Sequence, residues 1–243
     1  MRSLRNDHPD AVHHLTCRVN WQVFHLDQTD HAAIYFDEVA AALLQFDIAL
    51  LGFALMSNHH HLAFRVPAKG AYRELTSRRT ACRHRLAYPA GHLKSTVVAQ
   101  FGHRIHRVVA RKLQLKLDIT GHFWDRRYFA REIHTAADLA AVIAYEHRNP
   151  VRPGIVVKPG DYPWSSAAAY ASDSGASPLP LAPEDRLPFG LTWATLRERV
   201  LEYQASRAID DVYRTLAKAG LAPTSPLYDR ALVDMLRQRG LTA

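Results

Sequence analysis

Apolar and polar positions change their period several times along this chain, and each change predicts an element. Ala11 to Val19 shows mixed alternation and reads as a first strand. From Asp30 to Phe46 the residues Ala33, Phe36, Val39, Ala40, Leu43 and Leu44 recur near helical spacing, with Asp30 as the expected N-cap. Ile48 to Met56 is a largely apolar strand, Asn58 marks a short turn, and His59 to Val66 returns as its hairpin partner. Tyr72 to Tyr88 and Thr96 to Leu117 read as helices, with Pro89, Gly91 and Gly102 as breakers. Gly121 to Ile133 reads as a further strand carrying Trp124, Tyr128 and Phe129. Thr135 to Arg148 is a helix that Thr135 can cap, with Asp138 in its first turn and Pro150 to stop it. Asn149 to Tyr170 is extended and turn-rich, Ala171 to Pro188 reads as a Ser/Pro/Gly linker, and Trp193 to Ala219 and Pro226 to Arg239 form a second helical section. This order of elements predicts an α+β layout, an antiparallel sheet with helices packed on it.

Composition narrows the class of partner. With 243 residues and 48% hydrophobic content, the chain can form one large domain or a domain with an appendage. Its formal charge of +8 and pI near 9.7 point to an anionic partner, nucleic acid or a membrane surface. No run approaches the roughly 20 apolar residues that span a bilayer, and Met1 to Asp7 lacks the apolar core of a signal peptide. A cytoplasmic, nucleoid-associated protein is therefore expected, with Cys17 and Cys82 as thiols. The charge is also concentrated: Arg73 to Lys116 holds eleven Lys and Arg against one acid, Glu74. Ordinary surfaces mix signs, so this stretch, with Arg78, Arg79 and Arg83, is expected to meet the anionic partner. Arg126, Arg127, Arg148 and Arg152 add to it, and Trp124 offers a ring that can stack on an unpaired base or fill the core.

Two groups of residues carry candidate chemistry. In a strand, side chains alternate, so His59 and His61 share one face with Ala63 and Arg65, while His60, Leu62, Phe64 and Val66 take the other. Two such imidazoles can hold one metal ion, although a pair of surface histidines is the competing reading. Two histidines do not close a structural zinc site, so an open, catalytic site is the better fit. With oxygen ligands from a phosphate and an amide, Mg or Mn suits it. The second group is Tyr145 and Asn149, four residues apart on one helical face. They can be an edge-of-core ring and a helix cap. They can also be a nucleophile and a third metal ligand, since a tyrosine of pKa near 10 needs a base, a metal or a cation to attack phosphorus.

The segments Leu55 to Leu62, Gly121 to Phe129 and Tyr145 to Tyr170, the last with Asn149-Pro150-Val151-Arg152-Pro153-Gly154 and Asp161-Tyr162-Pro163-Trp164-Ser165-Ser166, resemble the single-tyrosine transposases of the HUH endonuclease superfamily. They are most like the REP-associated tyrosine transposases. The resemblance covers roughly residues 8 to 172. It implies a ferredoxin-like HUH core, a divalent ion (Mg or Mn) on His59 and His61, Asn149 as third ligand, and Tyr145 as the nucleophile. It also implies an activity: cutting single-stranded DNA beside a palindromic hairpin through a 5′-phosphotyrosyl link that releases a 3′-hydroxyl, then rejoining strands. Monomer and homodimer are both compatible with this reading.

Two departures from the family pattern leave other readings open. At His60 the family has a bulky apolar residue, and a histidine on that face has to be neutral and hydrogen-bonded. A hairpin-binding relative with weakened catalysis is the alternative function, and a hydrolase using bound water is a third. The second departure is the tail. Residues 8–172 are expected as the catalytic domain, 173–190 as a linker, and 191–243 as a helical extension whose Arg197, Arg199, Arg207, Arg214 and Lys218 can serve DNA contact or dimerisation.

Overall fold

The computed structural model describes residues 8–20, 26–69, 96–172, 174–206, 215 and 235. Four strands, β1 (Val12–Arg18), β2 (Ala49–Leu55), β3 (His59–Arg65) and β4 (Phe129–Ile133), form one sheet in the order β2-β3-β1-β4. Every neighbouring pair is antiparallel. Helix α1 (Thr29–Gln45) joins β1 to β2, and α2 (Val97–Leu117) precedes β4, which is the ferredoxin-like arrangement the sequence predicts. Helix α3 (Ala136–Arg148) follows β4, and helices α4 (Ala167–Ala171) and α5 (Trp193–Ala205) come after it.

The alternation of β1 and β3 divides the core in two. Leu15, Cys17, Leu62 and Phe64 pack with Tyr35 and Phe36 of α1 and with Phe101, Ile105 and Val109 of α2. On the other face Val12, Leu51, Ala63 and Ile133 pack with Leu139, Val142 and Ile143 of α3 and Leu196 and Val200 of α5. Charge pairing adds to the first layer, because Glu38 of α1 binds Arg104 at 2.8 Å and Lys112 at 2.6 Å, and Asp30 binds Lys116 at 3.0 Å. Part of the basic stretch thus neutralises α1. In the second layer Arg131 of β4 donates two hydrogen bonds, of 3.0 and 2.8 Å, to the buried Asp138 carboxylate and fixes the start of α3.

Strand β2 lies at the edge of the sheet yet is buried along its whole length. Its outer side is covered by the chain after α3. Leu55 N donates to Trp164 O, Ser166 N to Phe53 O and Ala182 N to Leu50 O. The hydroxyls of Tyr162 and Tyr170 donate to Leu55 O and Leu51 O. The Asp161 to Ser166 motif is therefore an edge cover, which removes a pairing surface open to other chains. The Ser/Pro/Gly-rich stretch read as a linker buries Leu179, Ala182 and Leu187.

Several expectations need correcting. Asp30 is not the N-cap of α1. Gln28 occupies that position and Asp30 lies in the first turn, where its carboxylate pairs with Lys116 instead. The last strand is shorter than Gly121 to Ile133, because residues before Phe129 turn away to form a single bridge between Val19 and Trp124. Arg126 and Arg127 are exposed beside the buried Tyr128, so the strand alternation fails there. Helix α5 ends at Ala205, with Ser206 as its C-cap. The cap of α3 is as expected, with Thr135 accepting from Asp138 N, and in α2 Thr96 accepts from Ala99 N. The helix expected over 72–88 lies outside the described residues, and so does most of that expected over 226–239.

Candidate active site

Register and alternation together place the two histidines. His61 of β3 pairs with Thr16 of β1 and His59 with Arg18, so both imidazoles point to the α3 face. Their rings lie edge to face with centroids 5.0 Å apart. Helix α3 crosses above them and brings Tyr145 to His61, with ring centroids at 5.5 Å and planes perpendicular. Gly52 in β2 permits this approach. A Cβ there would stand 2.8 Å from Ile143 Cγ1 and 3.1 Å from Glu146 Oε2, both on α3. Asn149 keeps helical dihedrals despite the following proline. Its amide donates to the Tyr145 carbonyl oxygen at 3.3 Å, and it lies near enough to the His59 imidazole and the Tyr145 hydroxyl to raise the one and lower the other in pKa. The Arg152 guanidinium lies over the Tyr145 ring, 4.8 Å from its centroid.

Burial sets the charge states. It lowers His59 to about 4, helped by Arg18 and opposed by the Asn149 amide. It pushes His61 well below its ordinary value, with His59 and His14 adding to the effect. Both rings are therefore neutral at neutral pH and have a lone pair to offer. Desolvation raises the Tyr145 phenol above 10, while Arg152, Arg18 and the Asn149 amide pull it back. The helix-face pattern of the sequence could not show how those opposing effects balance.

The donor set fits a divalent ion. Asn58 Oδ1 accepts from His59 Nδ1 at 2.7 Å, which leaves His59 Nε2 as the basic nitrogen. His61 Nδ1 lies 3.0 Å from His14 Nε2. His61 Nε2 is buried and has no hydrogen-bond partner among the described residues. That orphaned nitrogen, with His59 Nε2 and the Asn149 amide oxygen, is an open imidazole and oxygen set that could accept a metal.

Sequence reasoning missed the support behind this set. His14 stacks on His61 with ring centroids 5.2 Å apart, and its Nε2 is 3.5 Å from Glu146 Oε1. Desolvation holds His14 down at about 3 and Glu146 well above the usual carboxylate range, so the pair is a neutral imidazole beside a carboxylic acid. His14 lies on the same strand face as Thr16, two residues away, and Glu146 directly follows Tyr145. The available signals were thus strand alternation in β1 and an acid facing the sheet from α3.

The remaining expected site residues separate into groups. Arg126 and Arg127 are exposed, and Arg127 lies over the Tyr128 ring at 5.7 Å. Arg152 is exposed at the site itself, whereas Arg148 is half-buried and donates to Gln204 O of α5. Trp124 is half-buried and its indole N–H donates to His106 O at 2.8 Å. Arg78, Arg79 and Arg83 lie outside the described residues. His60 faces α1 and α2, away from His59 and His61, and its Nε2 meets His106 Nε2 at 2.8 Å. It does not compete with the ligand pair, and it is neutral and hydrogen-bonded as that face demands.

No protein-family model matches the chain, and no curated protein matches it significantly in sequence. Among solved structures, a protein from Deinococcus radiodurans R1 described as a candidate transposase has a TM-score of 0.34 and 14% identity, over 55% of this chain and 87% of that one. That likeness is too weak to bear on the fold. A REP-associated tyrosine transposase bound to a REP hairpin superposes with a TM-score of 0.50 and 12% identity, over 79% of this chain and 97% of its own. The four-stranded antiparallel sheet with helices on both faces is the fold of that transposase, and the family resemblance carried by the three sequence motifs is met at the level of architecture.

Proposed function

We propose that this protein is a metal-dependent DNA-nicking and strand-joining enzyme of the transposase type, acting on single-stranded DNA beside a hairpin. The observation that carries the reading is the convergence of Tyr145, from α3, with His59 and His61, from β3, around the Asn149 amide. The likeness to a transposase bound to a REP hairpin supports hairpin DNA as the substrate class, and the net charge of +8 supports a polyanion.

In this proposal His59, His61 and Asn149 hold Mg or Mn, which supplies Lewis-acid polarisation of the scissile phosphate. Tyr145 loses its phenolic proton to water, and the oxygen attacks phosphorus. Arg152, over the ring, favours the phenolate. The new bond joins Tyr145 Oη to the 5′-phosphate. The bond to the neighbouring sugar breaks, and its oxygen takes up a proton as the 3′-hydroxyl. One phosphodiester replaces another, so a 3′-hydroxyl can reverse the step with no nucleotide cofactor. The exposed Arg126, Arg127 and Arg152, with Arg78, Arg79 and Arg83, would contact the DNA backbone, and Arg148 would hold α5 against the site. Trp124 is left with its contacts inside the core. A DNA enzyme of this kind would work in the cytoplasm at the nucleoid.

The test is a labelled hairpin with a single-stranded flank, incubated with Mn. Wild-type protein forms a covalent adduct that survives denaturation. Tyr145→Phe forms none while binding the hairpin within about twofold of wild type. An adduct that persists in Tyr145→Phe refutes the nucleophile, and cutting without an adduct points to water as the attacking group. Binding with no cutting under any divalent ion would leave a hairpin-binding protein.

A further inference from the structure

The strand alternation that sends His59 and His61 to one face sends His60 to the other, and there it meets two more metal-ligating side chains. Cys17 of β1 is the register partner of His60. His106 comes from α2, and its Nε2 is 2.8 Å from His60 Nε2. The Cys17 Sγ and one nitrogen of each imidazole all lie within 4.8 Å of one another, and all three residues are buried. Cys17 is not in a disulfide.

We propose that Cys17, His60 and His106 form a second, buried metal site for a zinc-type transition ion, on the face of the sheet opposite His59 and His61. The chemistry of the donors selects the ion. A thiolate and two imidazoles suit Zn, Co or Cu and do not suit Mg or Mn, which take mainly oxygen ligands. Bond lengths of about 2.0–2.1 Å to nitrogen and 2.3 Å to sulfur put tetrahedral ligand atoms about 3.3–3.7 Å apart. To bind, the 2.8 Å contact between the two imidazoles would widen and the sulfur, within 4.8 Å of their ligating nitrogens, would settle at that spacing.

A purely apolar account of this spot is unsatisfying for a physical reason. Two imidazoles and a thiol are placed where Leu62, Phe64, Phe101 and Ile105 make an otherwise hydrocarbon layer. The contact between the two imidazoles leaves His60 Nδ1 buried with no hydrogen-bond partner among the described residues. Beside it the Tyr35 hydroxyl is also buried without a hydrogen-bond partner among the described residues, its ring 5.3 Å from that of His60. A buried polar group left unpaired is expensive. A cation with a water in its fourth position would give the Tyr35 hydroxyl something to bind.

The site is also roofed. Trp124 packs on both imidazoles, with ring centroids at 4.7 Å from His106 and 5.6 Å from His60, and its N–H holds the His106 carbonyl. Binding would join β1, β3 and α2, elements far apart in sequence, and so stiffen the layer beneath the strand that carries His59 and His61. It involves no redox step. The thiol proton of Cys17 leaves to solvent as the sulfur–metal bond forms.

The experiment uses the full chain, stripped with chelator and titrated with Co. A sulfur ligand gives a thiolate-to-cobalt charge-transfer absorption in the near ultraviolet, a signature that the sulfur-free set of His59, His61 and Asn149 cannot produce. The expected result is that band at one equivalent per chain, bleached by Zn, with a rise in the unfolding temperature when Zn is restored. The band persists in His59→Ala/His61→Ala and in Cys82→Ser, and is lost in Cys17→Ser and His106→Gln. Absence of the band in wild-type protein, or its survival in Cys17→Ser, overturns the site. Because the readout is a sulfur signal, it is independent of whether the protein cuts DNA.

Discussion

At the scale of single residues the site depends on protons being in the right place. His61 can offer Nε2 to a metal only if its own N–H is on Nδ1, and the acceptor for that N–H is His14 Nε2, 3.0 Å away. Glu146 backs His14 at 3.5 Å and, being protonated, does not capture the His14 nitrogen as a carboxylate would. In the proposed reaction His14 would thus be a positioning residue. Such outer partners typically contribute 10–100-fold to metal affinity. In His14→Ala the Mn concentration that half-saturates hairpin cleavage should rise by about that factor, with the maximal rate largely recovered at high Mn. His14→Gln, which keeps an acceptor, should lose less. An unchanged Mn requirement in His14→Ala would remove His14 from the site.

At the scale of elements, the decisive contact is between α3 and the sheet. Tyr145 reaches the histidines because the helix rides close over β2, and Gly52 is the position that leaves room. Gly52→Ala would force a methyl within 2.8 Å of Ile143 Cγ1 and lift the helix. Overpacking of this kind destabilises by about 1–3 kcal/mol. Cleavage should fall by more than that stability loss explains, and Ile143→Ala in the same chain should restore part of it. Denaturant melts beside adduct yields check this, and a stable, fully active Gly52→Ala would show that the close approach is not needed. The long helices α1, α2 and α3, the hairpin and the face shared by His59 and His61 were legible in the sequence because each follows from a local period, whereas the short α4 lay in a stretch read as extended. Tyr145 and Asn149 were legible as neighbours on one helix for the same reason. The role of Gly52, the His14 relay and the sealing of β2 by the Asp161 to Ser166 motif were not, since each arises from packing between segments distant in sequence. Asp30 misled because its carboxylate found Lys116, a partner 86 residues away.

At the scale of the whole molecule, the unusual property is how many histidines the fold keeps inside and uncharged. His13 is held at about 4, and His14 and His147 at about 3, in each case chiefly by desolvation, which for His13 outweighs the opposing pull of Glu132. His147 is fixed between Ser166 Oγ and the Gln204 side chain, joining α3 to the edge cover and to α5. Well above the ordinary value of 6.5 folded and unfolded chains are both neutral at these positions, so pH has no leverage there. Below it the unfolded chain takes up protons that the folded chain refuses, down to the depressed values near 3–4. Stability therefore falls as pH falls. From pH 6.5 to 5.5 each such histidine contributes a loss of about 1 kcal/mol, so these three together remove about 3 kcal/mol. His60 and His61 act in the same direction, and Glu146, whose carboxyl is raised, acts against them. Against a typical domain stability of about 5–15 kcal/mol, the net effect is large. Urea melts of the chelated protein should show a midpoint that is level above about pH 7.5, declines gently to about 6.5 and drops steeply by about 5.5. His147→Gln, which keeps a hydrogen-bonding group without a titrating one, should reduce that drop by about 1 kcal/mol. A midpoint independent of pH across this range would mean that the buried imidazoles are reached by protons in the folded state.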